Sequence, residues 1–387
     1  MKVPLFDMTR QYEKIKQEVL QTLDGIFSQG HVILGENVTM FEKEIQQYLH
    51  CEHAVGVANG SDALLLAVHS LDLKPGDMVI TTPYTFFATV SSITRNGALP
   101  VFADVTEKYY NIDLDMVEDI LTTHPHKDRI KAFIPVHLFG KTLDLNRLEA
   151  IKKKYGISII EDNAQAIGSV WHDGQTGMKF AGTAGDMGTI SFFPTKNLGA
   201  YGDAGMVVTN DEKLAQRIKK LRVHGAAKRY YHEEIGYNSR IDEVQAAILR
   251  IKLKHLDSWI EKRLTIAKNY QKLFQDSGLD EFITYPEYFA DRSHVYHQYV
   301  ITLSDKKSLL RDRLAEHLQE KGIGTSVYYP RCLHMQKCFE YLGYKSGQFP
   351  ISEAACEKTL ALPIFPELTV EEQEYVVKNI KDFFKGI

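Results

Sequence analysis

Residues 78–103 read MVITTPYTFFATVSSITRNGALPVFA and contain one complete strand–helix–strand unit. Short apolar runs at 78–82 and 99–103 predict buried strands, and the amphipathic stretch 86–95 between them predicts a helix. Two strands joined through a helix in this way lie parallel in one sheet. The stretch therefore predicts an α/β fold.

The same alternation continues on both sides of this unit, from about residue 50 to residue 223. Each time, a β-branched run is followed by a turn rich in Gly, Pro, Asp or Asn and then by an amphipathic stretch of helical length. The other predicted strands are 54–58, 132–136, 157–161, 188–192 and 206–209, and the other predicted helices are 62–71, 114–121, 143–155 and 212–223. Such an order builds a mostly parallel sheet with helices on both faces.

The pattern changes after Asn238 and Ser239, either of which is a good residue to cap a helix. A helical pattern with few breakers covers 241–274 and predicts one long helix that joins two domains. The mixed strand and helix patterns beyond it predict a smaller α+β domain. We therefore predict a large domain over residues 1–250, including an N-terminal arm, and a small C-terminal domain over 251–387.

The composition excludes several classes of protein. A net charge of -4 without a local basic patch argues against nucleic-acid binding. The first turns of the chain mix charged and apolar residues, so we expect neither a signal peptide nor a membrane span, but a cytoplasmic protein. The four cysteines contain no C-x-x-C pair, which argues against a zinc site and a disulfide framework and favours small buried thiols.

The segment SFFPTKNLGAYGDAG, residues 191–205, places Lys196 directly after a predicted strand and before a glycine-rich loop. A lysine alone would be read as a surface residue, so a functional role requires partners at other strand ends. Asp162, in EDNAQA, follows the strand 157–161. It either caps the next helix or pairs with a protonated pyridine nitrogen. Since ligands of parallel sheets collect at the carboxyl ends of the strands, the combination favours the second interpretation.

Further polar and aromatic residues follow other strands. In ANGSDA, residues 58–63, Gly60 and Ser61 open a predicted helix, so this segment is either an ordinary turn or a phosphate site, to which Ser191 would add a hydroxyl. Phe86, in PYTFFAT, either packs in the core or stacks on a flat ring. Gln165 lies one helical turn after Asp162 and would reach a ring hydroxyl.

These motifs, together with GYNSRIDEVQAAIL at 236–249 and VYYP at 327–330, resemble in order and spacing the DegT/StrS-type sugar aminotransferases, which depend on pyridoxal 5′-phosphate (PLP). The resemblance implies the aspartate aminotransferase fold (fold type I), with a mixed seven-stranded sheet, and a homodimer whose two active sites lie at the subunit interface. It makes Lys196 the Schiff-base lysine and Asp162 the partner of the pyridine nitrogen. It assigns the remaining roles as follows: Phe86 to ring stacking, Gly60, Ser61 and Ser191 to the phosphate, Asn238 to the phosphate of the other subunit, Gln165 to the ring hydroxyl, and Arg229, Tyr329 and His334 to the nucleotide-sugar.

The resemblance also implies a reaction: transfer of an amino group, with glutamate as the expected donor, to a nucleotide-diphospho keto-sugar for polysaccharide or lipopolysaccharide biosynthesis. HVYHQYV at 294–300 looks more like the branch that aminates C3 of dTDP- or UDP-linked sugars than the C4 branch, and inosose aminotransferases share the motifs. Tyr328 and Phe193 depart from the family's usual His and Tyr, at positions that border the sugar in that family. A PLP-dependent sugar dehydratase is an alternative, although such relatives carry His in place of the lysine. A regulatory homologue without turnover is another.

Overall fold

The computed structural model describes residues 1–172, 174, 177–304 and 310–386, and within them it confirms the predicted fold class. A seven-stranded sheet has the order β1-β9-β8-β5-β4-β2-β3. β9 runs antiparallel to both of its neighbours, and the other pairs are parallel. The sheet is therefore mixed but mostly parallel.

The described strands are β1 (His53–Val57), β2 (Met78–Thr81), β3 (Leu99–Phe102), β4 (Ile130–Phe133), β5 (Ser158–Asp162), β6 (Val170–His172), β7 (Met178–Phe180), β8 (Met187–Ser191), β9 (Gly205–Thr209), β10 (Ala226–Lys228), β11 (Tyr231–His232), β12 (Ile283–Thr284), β13 (Tyr299–Leu303) and β14 (Thr359–Leu362). The α-helices are α1 (Met8–Gln29), α2 (Glu36–Leu49), α3 (Gly60–His69), α4 (Phe87–Arg95), α5 (Leu114–Thr123), α6 (Leu145–Tyr155), α7 (Glu212–Leu221), α8 (Glu243–Leu253), α9 (Leu256–Ser277), α10 (Arg311–Glu320), α11 (Pro350–Lys358) and α12 (Val370–Lys385).

Alternation along the central strands explains why helices cover both faces of the large sheet. Val79 lies in one apolar cluster with Leu64 of α3, whereas its neighbour Ile80 lies in another with Leu148 of α6. Successive side chains of a strand point to opposite faces, so a strand buried on both sides reads as a continuous apolar run. This is the pattern from which the strands were predicted.

A second sheet, β12-β13-β14, belongs to the C-terminal part of the chain. The N-terminal segment packs against the same part: the Val3 N–H donates to the Gly322 carbonyl at 2.9 Å, and Arg10 forms a 2.6 Å ion pair with Glu372 of α12. The division into domains at residue 250 stays a prediction. Among the described residues, no helix is long and apolar enough to cross a membrane, and no three His, Cys, Asp or Glu side chains gather as metal ligands would.

The prediction of one long helix over 241–274 is wrong, because α8 and α9 are separate helices. Between them the His255 N–H donates to the Lys252 carbonyl at 3.0 Å, an i to i+3 bond that tightens the turn and interrupts the α-helical ladder. Neither Gly nor Pro lies at the break between the two helices. The buried Lys252 ammonium, at the end of α8, donates to the Gly199 carbonyl and so connects this helix to the loop after Lys196.

Candidate active site

Four connections of the large sheet begin at one edge, where the carboxyl ends of the parallel strands lie. β5 ends at Asp162, and the adjacent parallel strand β8 ends at Ser191 and leads to Lys196. β1 leads to Gly60, the first residue of α3, and β2 leads to Phe86, which precedes α4. The structure thus brings these predicted residues to the edge where such folds bind ligands.

Asp162 is 4% exposed and has no cationic hydrogen-bond partner among the described residues. Its carboxylate accepts from the Thr89 hydroxyl at 2.8 Å and from the Ala164 N–H at 3.2 Å. Burial raises the pKa of the Asp162 carboxyl, and these two donors and the Lys196 amine only partly oppose the rise. A buried carboxylate of this kind would be stabilised by a cation brought in by a ligand.

Thr89 was missed by the sequence interpretation, although a signal existed. It lies three residues after Phe86 in the same motif, which is the spacing of neighbours on one helix face.

Lys196 is partly exposed as a whole residue, but its amine is buried and interacts electrostatically with Asp162. Its removal from bulk water lowers the pKa of Lys196 to about 8, although the Asp162 charge acts in the opposite direction. About a tenth of such amines are neutral at pH 7, a far larger fraction than for an ordinary lysine. Since only the neutral amine attacks a carbonyl, Lys196 is suited to nucleophilic chemistry.

The N-terminus of α3 forms a cradle against β8. Asn59 caps the helix, its side chain accepting from the Asp62 N–H at 2.8 Å. A Cβ on Gly60 would lie 2.5 Å from the Cβ of Ser191, and a Cβ on Gly205 would lie 2.3 Å from the Asn59 carbonyl, so both glycines are required by close approach. Ser61 is exposed. Backbone N–H groups at such a helix start can bind a phosphate. Gly205 was not predicted as a site residue.

Gln165, a predicted cofactor residue, is hydrogen-bonded to Tyr329, a predicted substrate residue. Its Oε1 accepts from the Phe139 N–H at 2.7 Å, and its Nε2 donates to the Tyr329 hydroxyl at 3.0 Å, so the amide has a fixed orientation. The Tyr329 ring centroid lies 6.4 Å from that of Phe86. Phe86 is 56% exposed, which leaves one ring face available for stacking.

The structure gives three other predicted residues contacts outside this cluster. Arg229 lies on the exposed hairpin of β10 and β11, with its guanidinium over the Tyr230 ring. Asn238 is exposed, while the neighbouring Ser239 hydroxyl accepts from the Ala58 N–H at 3.3 Å. His334 is buried, and its ring centroid lies 4.8 Å from that of Phe349. Their binding roles stay predictions.

Behind Asp162 lies a buried pair that the sequence interpretation missed. The Leu143 N–H donates to His137 Nδ1 at 3.2 Å, so Nε2 carries a proton and donates to Glu161 at 2.8 Å. Backbone N–H groups of residues 182, 184 and 185 also donate to Glu161. Burial acts to raise the pKa of Glu161, but these donors hold it below the ordinary value. The pair anchors the strand end that carries Asp162.

The chain is similar to known proteins over nearly its whole length. The sequence model of the DegT/DnrJ/EryC1/StrS aminotransferase family matches residues 13–381. A protein named pleiotropic regulatory protein, from Geobacillus stearothermophilus, is 46% identical over 385 residues, which are 100% of this chain and 99% of that protein. UDP-N-acetyl-3-dehydro-alpha-D-glucosamine 3-aminotransferase from Acidithiobacillus ferrooxidans is 38% identical, over 99% of this chain and 98% of its own. The crystal structure of NtdA from Bacillus subtilis, with bound cofactor PMP, matches with a TM-score of 0.88 and 31% identity, over 99% of this chain and 85% of that one.

Proposed function

This chain belongs to the DegT/DnrJ/EryC1/StrS aminotransferase family, and on that premise we propose that it transfers an amino group from an amino acid to a nucleotide-linked keto-sugar. The observation that carries the proposal is the position of the Lys196 amine beside the buried Asp162 carboxylate, at the edge of the sheet where ligands bind. Amino transfer requires such an amine to form a bond to a carbonyl and to move a proton.

The cofactor in this proposal is PLP, and the site fits it. Asp162 is buried with only neutral hydrogen-bond donors, the start of α3 brings the backbone of Gly60 against Ser191, and Phe86 exposes a ring face. The name of NtdA's structure gives PMP, the aminated form of PLP, as that protein's bound cofactor. When bound, PLP would supply an electron sink for the charge left by deprotonation of a carbon.

Lys196, Asp162 and Gln165 each have a distinct role in the proposed reaction. Lys196 would hold the cofactor covalently and, once released as an amine, would carry a proton between the donor and the cofactor. Asp162, oriented by Thr89 and the Ala164 N–H, would keep the ring nitrogen protonated. Gln165, fixed by the Phe139 N–H, would face the ring hydroxyl.

For the substrates, we propose glutamate as the donor and a dTDP- or UDP-linked 3-keto-hexose as the acceptor. The name of the Acidithiobacillus ferrooxidans relative describes amination at C3 of a UDP-linked sugar. The family resemblance is the basis for glutamate. The cytoplasmic location expected from the sequence stays a prediction.

We also propose a homodimer with shared active sites. Tyr230, Tyr231 and Ile235 are 78%, 65% and 90% exposed, and they lie between Arg229 and Asn238, two residues predicted to bind ligands. Exposed apolar side chains of this kind are typical of a surface that a partner covers. In a dimer, this hairpin would bring Arg229 and Asn238 to the site of the partner.

The decisive test of the activity is ¹⁵N-labelled glutamate incubated with the PLP-loaded protein and a UDP- or dTDP-linked 3-keto-hexose. We expect labelled 3-amino-sugar and one equivalent of 2-oxoglutarate. A deoxygenated, nitrogen-free sugar would instead support the dehydratase, which the lysine at position 196 disfavours.

A regulatory homologue without turnover is the second candidate, because the relative at 46% identity carries a regulator's name. The cradle at Gly60 and the Lys196–Asp162 pair argue against it, since regulation by the fold alone does not require them. Absence of PLP absorbance after addition of the cofactor, and of any amino-sugar product, would favour the regulator.

The phosphate cradle gives a prediction of its own. Gly60→Ala would place a methyl group against Ser191, so we expect at least about tenfold weaker PLP binding, equivalent to a loss of about 1.4 kcal/mol. Gly25→Ala, in the last turns of α1, meets no atom within 4 Å and serves as the matched control. Titration of cofactor-free protein by absorbance measures both. Equal affinity in the two variants would place the phosphate elsewhere.

A further inference from the structure

Two of the four cysteines lie in contact inside the protein. The Sγ atoms of Cys332 and Cys356 are 3.3 Å apart, and the two residues are 2% and 6% exposed. Cys51 is also buried, but Cys338 is exposed, which corrects the expectation that all four thiols are buried. A disulfide bond is about 2.05 Å long, so the two sulfurs would need to approach by only about 1.2 Å.

The two thiols join different elements near the proposed active site. Cys332 lies three residues after Tyr329, in a segment held to the large sheet by the Leu333 N–H, which donates to the Pro83 carbonyl at 2.8 Å. Cys356 lies on α11. The first turn of that helix is fixed to Asp104, whose carboxylate accepts from the Ser352 N–H at 2.9 Å. A bond between the thiols would therefore tie the Tyr329 segment to a firmly held helix.

We propose that Cys332 and Cys356 form a modification site at which a low-molecular-weight disulfide, such as oxidised glutathione, produces an intramolecular disulfide. One protein thiolate attacks the oxidant and releases one reduced glutathione, and the second thiolate then displaces the other from the mixed disulfide. The two cysteines lose two electrons and two protons in total, and the oxidant gains them as two thiols. A preformed contact favours the second step, because the attacking sulfur is already adjacent.

The contact between Cys332 and Cys356 also determines the rate at which the two thiols are oxidised. The neighbouring Cys356 thiol and burial both raise the pKa of Cys332, so little thiolate is present at neutral pH. The first step needs transient opening of the segment and is slow compared with modification of the exposed Cys338. Oxidation accelerates as the pH rises, because the thiolate is the attacking form.

The test uses the PLP-loaded Cys338→Ser protein, since this change removes the exposed thiol. After incubation with oxidised glutathione we expect a mass decrease of about 2 Da, a cross-linked peptide pair containing Cys332 and Cys356, and complete reversal by dithiothreitol. The melting temperature should rise by about 3 °C. In the same background, Cys332→Ala and Cys356→Ala should show neither the cross-link nor the rise in melting temperature. Cys51→Ala should show both the cross-link and the rise.

Two results would contradict the proposal that Cys332 and Cys356 form a disulfide in the folded protein. In one, both thiols react fully with an alkylating agent when the oxidised protein is denatured. In the other, the cross-link forms only under denaturing conditions, which would show that the folded contact does not direct it.

A functional consequence rests on the proposed function. A displacement of about 1 Å near a substrate-positioning group can cost up to about a hundredfold in rate, so we expect kcat/KM for the keto-sugar to fall at least about tenfold on cross-linking. Cys356→Ala should not respond to the oxidant. An unchanged kcat/KM in fully cross-linked protein would show that the disulfide does not affect the active site. The mass measurement tests the thiol pair even if no aminotransferase activity is found.

Discussion

Lys196→Ala is expected to lower the rate of amino transfer at least about a thousandfold, because the variant lacks both the amine that binds the cofactor and the group that moves the proton. General acid–base catalysis alone contributes about 10² to 10⁴. PLP should still bind non-covalently, since Asp162 and the α3 cradle remain. The measurement is a single-turnover assay with glutamate, together with absorbance of the bound cofactor.

Chemical rescue and a surface control make this prediction sharper. Added methylamine should restore part of the activity of the alanine variant, because the missing side chain leaves room for a small amine. Lys153→Ala changes an exposed lysine of α6 and should retain full activity. Full turnover by Lys196→Ala without added amine would remove the central assignment.

Asp162→Asn is the second large effect. The amide keeps the shape of the carboxyl and can still bond to Thr89, but it carries no charge to hold the ring nitrogen protonated. Removal of one such electrostatic contact costs about 10² to 10³ in kcat at other enzyme sites, and we expect a loss in this range. The assay is steady-state amino transfer at saturating PLP, which separates turnover from cofactor affinity.

The matched control for this change is Asp113→Asn. The Asp113 carboxylate caps α5 by accepting from the Asp115 N–H at 2.8 Å, and Asn caps a helix about as well as Asp. Its activity should therefore stay near that of the unaltered protein. If Asp162→Asn were equally active at saturating PLP, the carboxylate would have no role in the chemistry.

Much of the fold followed from the sequence, because the strands of the large sheet are buried on both faces and read as apolar runs. All seven strands of that sheet were predicted, although β4 covers Ile130–Phe133 and the prediction gave 132–136. Apolar residues continue past the point where the ladder ends, so the pattern alone does not fix the boundary. The turn at His255 carries no breaker residue, so the pattern of 241–274 predicts one helix where the chain has two.

The candidate site was predictable where a residue follows a strand, and less so where its environment depends on distant parts of the chain. Lys196, Asp162 and Gly60 lie at strand ends, and the topology brings them to one edge. The burial of His334 against Phe349 and Phe102 depends on packing between distant parts of the chain, which no local motif encodes. Likewise, the closeness of Cys332 and Cys356, which are separated by 24 positions, is visible only in three dimensions.

Three lysines of the described chain have a pKa lowered by burial, and only one of them fits the proposal. The pKa values are about 8 for Lys141, about 8 for Lys196 and about 7 for Lys252. Acidic side chains act on all three, but Lys141 donates to the Ser293 hydroxyl and Lys252 to the Gly199 carbonyl, whereas Lys196 lies beside the buried Asp162 at the edge of the sheet where ligands bind. Low pKa alone therefore does not identify the cofactor lysine.

Borohydride reduction of the PLP-loaded protein, followed by digestion and peptide mass mapping, tests the central claim most directly. We predict a single phosphopyridoxyl group on the peptide that contains Lys196, and none in Lys196→Ala. A reduced adduct on Lys141 or Lys252, or no adduct in a protein that binds PLP, would contradict the account.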